Sequence, residues 1–205
     1  MEPRQKLYQI LSRHVPENSV HYCLDLWIAT PFHFKVTRNR NSKLGDYRFD
    51  PRKKDHAISV NHGLNMYSFL ITYVHEIAHL VTTEKFGRKA MPHGKHWKAT
   101  FTELMQPLLN DLVFPPEVLI PLKHHMKNPA ASTYSDMKLV DALRQFDANT
   151  DGLVPLSALD KGEIFEFNNM MYTRLDLRRT RVLCQQADTS RKYLISKLAM
   201  VRSLK

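Results

Sequence analysis

Apolar and polar positions alternate along the first half of the chain with two different periods, one typical of helices and the other of strands. Apolar residues that recur every three or four positions predict four helices, over residues 6–15, 16–27, 64–86 and 95–109. Alternation of period two predicts three strands between the second and third helices, over residues 32–38, 43–49 and 57–60. A proline at position 107 is expected to kink the last of these helices.

The second half of the chain has a different pattern. Residues 127–135 are small and polar, contain a proline and show no apolar period, so we expect a linker there. Short strand-like runs separated by turn residues follow, at 164–167, 170–175, 180–184 and 193–195. We therefore predict an α+β protein with a first domain at residues 1–126 and a small β-rich, ribbon-like module at residues 136–205.

The composition is compatible with this division. A chain of 205 residues that is 43% hydrophobic can bury one sizeable core and a small second module. Because no run of eighteen apolar residues occurs and the first residues lack the apolar stretch of a secretory signal, we expect a soluble, intracellular, cytoplasmic protein without a membrane partner. In that compartment Cys23 and Cys184 are expected to be buried, reduced thiols.

The candidate chemistry is concentrated in residues 75–79, which read H-E-I-A-H. Residues four apart share one face of a helix, so His75 and His79 can bind a single metal ion, with Glu76 about 100° further round. From that position Glu76 can act as the general base on a water at the metal. A chance match in a chain of this composition has a probability of about 2%, so we favour a metal site over two structural histidines.

A third ligand is expected shortly after this motif. His93 is favoured, because the sequence Pro-His-Gly at 92–94 predicts a turn that aims the histidine back at the helix, and the glycine lets the backbone pass close to the metal. His96 is an alternative, although it falls at the start of the next predicted helix. Glu84 is another, but on a helix it would point away from His79.

Several separated segments resemble the SprT-like (Spartan-like) zinc metallopeptidases. In that family H-E-x-x-H is followed, after a short insertion, by an H-G-x-x-(F/W) segment, as in residues 75–80 and 92–101 of this chain. Residues 34–48 and 58–65 are similar to the strands and helix start that precede the motif in the family. The resemblance covers about half of the chain and rests on several segments rather than one short pattern.

This resemblance implies a fold, a cofactor and an activity. The fold would be zincin-like, with N-terminal helices, a small mixed or antiparallel sheet and an active-site helix. The cofactor would be Zn²⁺, bound by His75, His79 and His93, with Glu76 as the catalytic acid and base. The activity would be hydrolysis of peptide bonds in a protein or peptide substrate. The alternatives are a nucleic-acid-binding protein with a structural or inactive zinc site, and a zinc amidase that acts on a small molecule.

The sequence departs from the family at its C-terminal end. Many SprT-like proteins carry a four-cysteine zinc ribbon after the peptidase domain, whereas this chain has two cysteines in total. Two thiolates cannot form a four-thiolate zinc site. We therefore expect the β-rich module to be held together by apolar packing instead of a metal ion.

The net charge of +10 predicts an anionic partner. One basic group comprises Lys35, Arg38, Arg40, Lys43, Arg48, Arg52, Lys53 and Lys54. A second comprises Arg174, Arg178, Arg179, Arg181, Arg191 and Lys192. Aromatic residues alternate with these cations, which favours contacts to phosphates combined with base stacking. DNA is therefore a candidate partner, as the resemblance also implies, although basic strands are equally typical of solvated faces.

Two further patterns are interpreted as structural. Residues 147–152 begin like an EF-hand calcium loop, but position 12 of that loop is Ala158 where a glutamate is needed, so a turn is expected. The adjacent pair His124 and His125 falls beside the predicted linker without a matching third ligand, and we interpret it as solvated.

Overall fold

The structure, a computed structural model, describes residues 2–40, 43–87, 90–130, 136–147 and 152–204. The chain has an α+β fold, as predicted, and divides into two compact units, Met1–Asp147 and Ala148–Lys205. Each unit has its own sheet and its own hydrophobic core. No helix in the described ranges is both long and apolar enough to cross a membrane.

The first unit contains the helices and strands that the sequence pattern predicts, and two more helices. In chain order its elements are α1 (Pro3–His14), α2 (Val20–Ala29), β1 (His33–Thr37), β2 (Gly45–Asp50), β3 (Asp55–Asn61), α3 (Met66–Phe86), α4 (Lys95–Met105), α5 (Pro116–His125) and α6 (Met137–Arg144). The kink expected at Pro107 is instead a helix end, because α4 stops at Met105 and residues 106–108 form a short 3₁₀ turn.

The three strands of the first unit form a mixed sheet in the order β1-β3-β2. Strand β3 pairs with β1 in parallel and with β2 in antiparallel register. Residues directly opposite each other across a ladder lie on the same face of the sheet. The inner face is marked by Ile58 and Val60 of β3, which are buried. Their partners on β2 are Tyr47 and Gly45, so both of these residues face inward.

Helix α3 runs through the core of this unit and has clear end signals. Its N-terminus is capped by the side chain of Asn65, which accepts hydrogen bonds from the backbone N–H groups of Tyr67 and Ser68. Its C-terminus is followed by Gly87 at φ 73°, a left-handed conformation that favours glycine. Eleven of its 21 residues are buried, so the H-E-I-A-H segment lies in a helix that is surrounded by other parts of the protein on most sides.

Helices α5 and α6 were not predicted from the sequence. Proline suits the first turn of a helix, and here Pro115 precedes α5 and Pro116 begins it. Helix α6 is capped by the side chain of Asp136 on the N–H of Leu139. Its apolar residues join the core of the first unit, which therefore extends beyond the predicted boundary at 127–135 to Asp147. Residues 131–135 lie outside the described residues.

The second unit is an antiparallel sheet in the order β4-β9-β5-β6-β7-β8. Its strands are β4 (Leu153–Pro155), β5 (Ile164–Phe167), β6 (Met170–Leu177), β7 (Arg181–Gln186), β8 (Lys192–Ser196) and β9 (Met200–Ser203). Four of them correspond to predicted runs, whereas β4 and β9 are additional. Apolar side chains fill the core, as expected, including Phe165, Val182, Cys184 and Val201. Both cysteines of the chain are free and buried, and burial raises the pKa of each thiol.

Candidate metal centre

Three histidines converge in the first unit. His75 and His79 lie one turn apart on α3, and His93 lies in the segment before α4. The Nε2 atom of His79 is 3.2 Å from that of His75 and 2.9 Å from that of His93, and the third side of this triangle measures 3.2 Å. The structure therefore brings together the three residues that the sequence favours as ligands, and the group could hold a metal ion.

The size of this triangle fits a shared ion. Two nitrogen ligands at about 2.0–2.1 Å from a tetrahedral ion are separated by about 3.3 Å, close to the distances between these atoms. Hydrogen bonds alone do not explain the arrangement, because a neutral imidazole carries a proton on only one nitrogen and that proton points in one direction. A cation bound to the three nitrogens would interact with all three lone pairs at once.

A tight turn directs His93 toward the helix. The backbone N–H of Gly94 donates to the carbonyl of Met91 at 2.9 Å, and Pro92 and His93 occupy the two central positions. His93 has φ 58°, which a turn of this kind requires at its third residue and which non-glycine residues rarely adopt. The predicted turn is present, but the glycine has another role, because a Cβ at position 94 would lie 2.9 Å from the Met91 carbonyl oxygen.

Trp97 packs against all three histidines. Its ring centroid lies 4.7 Å from those of His75 and His93 and 5.3 Å from that of His79, and the side chain is fully buried. Phe101, one turn further along α4, stacks on Trp97 at 5.0 Å. The helical spacing of the two aromatic residues marks them as buried, but it does not reveal that they form an apolar wall behind the site.

Burial favours the neutral form of the histidines. Desolvation, with smaller contributions from the neighbouring imidazoles, lowers the pKa of His75 to about 3 and that of His79 to about 4. Desolvation also lowers the pKa of His93. Only a neutral imidazole offers a lone pair to a metal, so the protein holds these side chains in the form that metal binding needs.

Glu76, the residue after His75 on α3, is buried, with 7% of its surface exposed. Desolvation, and after it the negative charge of Asp46, raises the pKa of Glu76 to about 8. The backbone N–H of Tyr47 favours the ionised carboxylate and partly offsets this rise in the pKa. Strand β2 approaches so closely that a Cβ at Gly45 would overlap Glu76 Oε1 and lie 2.7 Å from Thr72 Cγ2. Only a glycine fits there, a role that the sequence pattern does not reveal.

The alternative ligands have other partners in the structure. Glu84 Oε1 lies 3.1 Å from His56 Nε2, and the ring of His96 stacks on Phe86 with centroids 4.0 Å apart. His125 is not solvated as expected but buried in α5, where its Nδ1 lies 3.3 Å from Asp136 Oδ2. None of these side chains belongs to the histidine group.

The first residue of the EF-hand-like segment also has a structural contact. The Asp147 carboxylate accepts a hydrogen bond from the side chain of Asn65, the residue that caps α3. Residues 148–151 of that segment lie outside the described residues.

The basic residues of the first unit fall into two sets. Arg40 is partly buried and donates to Asn61 Oδ1 and Ser59 Oγ, while Lys43 and Arg48 both pair with Asp46. These three cations therefore have partners in or beside the sheet, although Lys43 and Arg48 are themselves exposed. The other five are also exposed: Lys35, Arg38, Arg52, Lys53 and Lys54.

Comparisons of the chain with protein-family models, with curated proteins and with solved structures found no match in any of the three.

Proposed function

We propose that this protein is a zinc-dependent metallopeptidase of the SprT-like kind, with a zincin-like first unit. The observation that carries the proposal is the triangle of three Nε2 atoms, together with the buried glutamate that follows His75 on α3. A purely structural zinc site is closed by four protein ligands, whereas catalytic sites use three and leave the fourth position open. A site of three histidines with an adjacent general base therefore fits hydrolysis better than structural support.

The donor set favours zinc as the cofactor. Three imidazole nitrogens suit Zn²⁺, which accepts nitrogen ligands in tetrahedral geometry without a redox role. Oxygen-rich sites, which select calcium or magnesium, have a different composition. When bound, zinc would supply Lewis acidity that lowers the pKa of a water and polarises the scissile carbonyl.

Glu76 would transfer the proton in this reaction. Its carboxylate takes a proton from the attacking water, holds it on an oxygen, and delivers it to the leaving amine. A pKa near neutrality suits both halves of this transfer. Burial raises the pKa of Glu76 to about 8 in the metal-free protein, and a nearby cation would favour the ionised form and lower it again. The Tyr47 N–H would favour the ionised form of this carboxylate.

DNA is the proposed partner. Proteins bound to the same DNA would then be the substrates. The supporting observation is the exposed run Arg52-Lys53-Lys54 in the turn that follows β2, the strand that borders Glu76. In the second unit, exposed cations on and beside β7 and β8 include Arg178, Arg179, Arg181, Arg191 and Lys192. Such groups bind phosphates without sequence preference.

Cleavage of a basic DNA-binding protein tests the proposal. Zinc-loaded wild type and Glu76→Gln are compared with and without single-stranded DNA, and zinc content is measured on the same samples. We expect wild type to cleave, DNA to raise its rate, and Glu76→Gln to retain zinc while losing at least about 1,000-fold in rate. Glu103→Gln, a change at an exposed glutamate of α4, is the matched control and should cleave normally.

Three outcomes would contradict parts of this proposal. An active Glu76→Gln protein would show that Glu76 is not the base. Cleavage that DNA does not change would remove DNA as the activator. Zinc binding without cleavage of any protein would favour a structural zinc site in a nucleic-acid-binding protein, or an amidase, which a panel of small amides would separate.

A further inference from the structure

Three side chains form a hydrogen-bonded chain beside the candidate metal centre. The hydroxyl of Tyr47, on β2, lies 3.0 Å from His56 Nδ1, on β3. His56 Nε2 in turn lies 3.1 Å from Glu84 Oε1, near the end of α3. His56 is buried, with 8% of its surface exposed, and both of its ring nitrogens have a partner, as a buried imidazole requires. We call these residues the Tyr47–His56–Glu84 chain.

The direction of each hydrogen bond follows from the chemistry of its members. An ionised carboxylate only accepts, so His56 donates from Nε2 to Glu84. A neutral imidazole carries one proton, so its Nδ1 must accept, and the hydroxyl of Tyr47 is the donor. Glu84 thus sets the tautomer of His56, and His56 sets the direction of the Tyr47 hydroxyl.

Tyr47 is close to the candidate site. Its ring lies parallel to the imidazole of His79, with 4° between the planes and 6.3 Å between the centroids. Two residues before it on the same strand, Gly45 lies against the Glu76 side chain. Tyr47 therefore lies beside one candidate ligand, on the strand that borders the candidate base.

The position of β2 explains why its contacts with α3 need support from a side chain. This strand lies at one end of the sheet order β1-β3-β2, so in the described structure it pairs only with β3. The overlap that a Cβ at Gly45 would cause shows how closely it approaches α3. A tyrosine anchored at its hydroxyl holds the strand, and the groups that the strand contacts, against sideways movement.

We propose that Tyr47 is a positioning residue of the candidate metal centre, held by His56 and Glu84, which fixes the orientation of the His79 ring. This inference rests on the proposed metal site but not on the choice of a peptide as the substrate. Residues that orient metal ligands from outside the coordination shell commonly change metal affinity by about 10- to 100-fold when they are removed.

Release of zinc to a chromogenic chelator tests the role of Tyr47 without any substrate. Tyr47→Phe removes the hydroxyl and keeps the ring, and we expect it to release zinc about 10-fold faster than wild type. Tyr22→Phe is the matched control, since it removes a partly buried hydroxyl that donates to the Leu104 carbonyl at 2.9 Å. The absorption spectrum of the Co²⁺-substituted proteins should change in Tyr47→Phe alone, because it reports the geometry of the ligands.

Breaking the chain at its exposed end provides a second variant that leaves the core intact. Glu84→Ala removes the last acceptor, and we expect faster zinc release in the same direction by a smaller factor. Glu103→Ala, at another exposed glutamate with a lysine partner, is its control and should match wild type. Because Tyr47 and Glu84 act through one chain, the double variant should release zinc at about the rate of Tyr47→Phe.

Zinc release from Tyr47→Phe at the rate of Tyr22→Phe, with an unchanged Co²⁺ spectrum, would overturn the inference. Independent, multiplicative effects of Tyr47→Phe and Glu84→Ala would show that the two residues do not act as one chain. A wild-type protein that binds no zinc would contradict both the proposed function and this inference. A protein that binds zinc but cleaves nothing would contradict the proposed function alone, and the role of Tyr47 would still be measured.

Discussion

The two units of this protein differ most in where they place ionisable side chains. All 11 histidines of the chain precede residue 126, so the first unit contains every one of them and the second unit none. In the first unit His56, Glu76 and His125 are buried. In the core of the second unit the buried cluster is apolar, and most of the arginines that the sequence singles out there lie at the surface.

This contrast indicates what the candidate metal centre requires of the fold around it. Burying ionisable groups costs free energy unless they have partners, so a site of this kind needs a large apolar core that offsets the cost. Among the described residues, the core cluster of the first unit contains 30 buried hydrophobic residues and that of the second unit contains 7. The candidate site lies in the unit with the larger core.

The largest expected effect comes from removing the one candidate ligand outside α3. His93→Ala leaves two imidazoles on α3, and we expect zinc affinity to fall by at least about 1,000-fold, or about 4 kcal/mol. His96→Ala is the matched control, because its ring stacks on Phe86 outside the histidine group. Competition with a chelator of known affinity measures both variants. Equal losses in the two variants would contradict the assignment of His93.

A substitution that creates a cavity in the second unit tests whether zinc binding in the first unit is independent of the stability of the second. Phe165 is fully buried there, and Phe165→Ala should destabilise that unit by about 3 kcal/mol, measured by thermal unfolding of the zinc-loaded protein. We expect zinc affinity to remain within about two-fold of wild type. A large loss of zinc affinity would show that the candidate metal centre depends on the second unit, and would contradict the view that the larger core of the first unit supports it alone.

Acid should also weaken the metal-free first unit. Burial holds the pKa values of His75 and His79 at about 3 and about 4, below the value of 6.5 in an unfolded chain. The unfolded chain therefore binds more protons as the pH falls from about 6.5 toward 4, and the metal-free folded state loses at most about 1.4 kcal/mol per histidine and pH unit. Above pH 6.5 this contribution is fully present.

Tryptophan fluorescence measures this loss selectively, because both tryptophans, Trp27 and Trp97, lie in the first unit. Urea unfolding of the metal-free protein should give a midpoint that falls between pH 6.5 and 4. His75→Gln, which cannot be protonated in this range, should show a shallower dependence. The same slope in the variant and in wild type would mean that His75 is not the titrating group.

Parts of the fold could be predicted because their signals are local. The spacing of apolar residues predicts α3, and Gly87 marks its end, since helix geometry alone relates residues three and four apart. Helices α5 and α6 were missed for a related reason. The pair Pro115-Pro116 indicates the end of a helical region, and the apolar residues of α6 were assigned to another module because the core that they join is not visible in the sequence.

The sequence by itself determined the composition of the candidate centre. Two histidines one helical turn apart, a glutamate between them and a third histidine in a turn follow from residue spacing, which local backbone geometry translates into position. Only the tertiary structure decided what surrounds them: Trp97 behind the imidazoles, Gly45 against Glu76, and Tyr47 beside His79. These contacts join elements far apart in the chain, and they depend on strand register and helix packing, which no local pattern specifies.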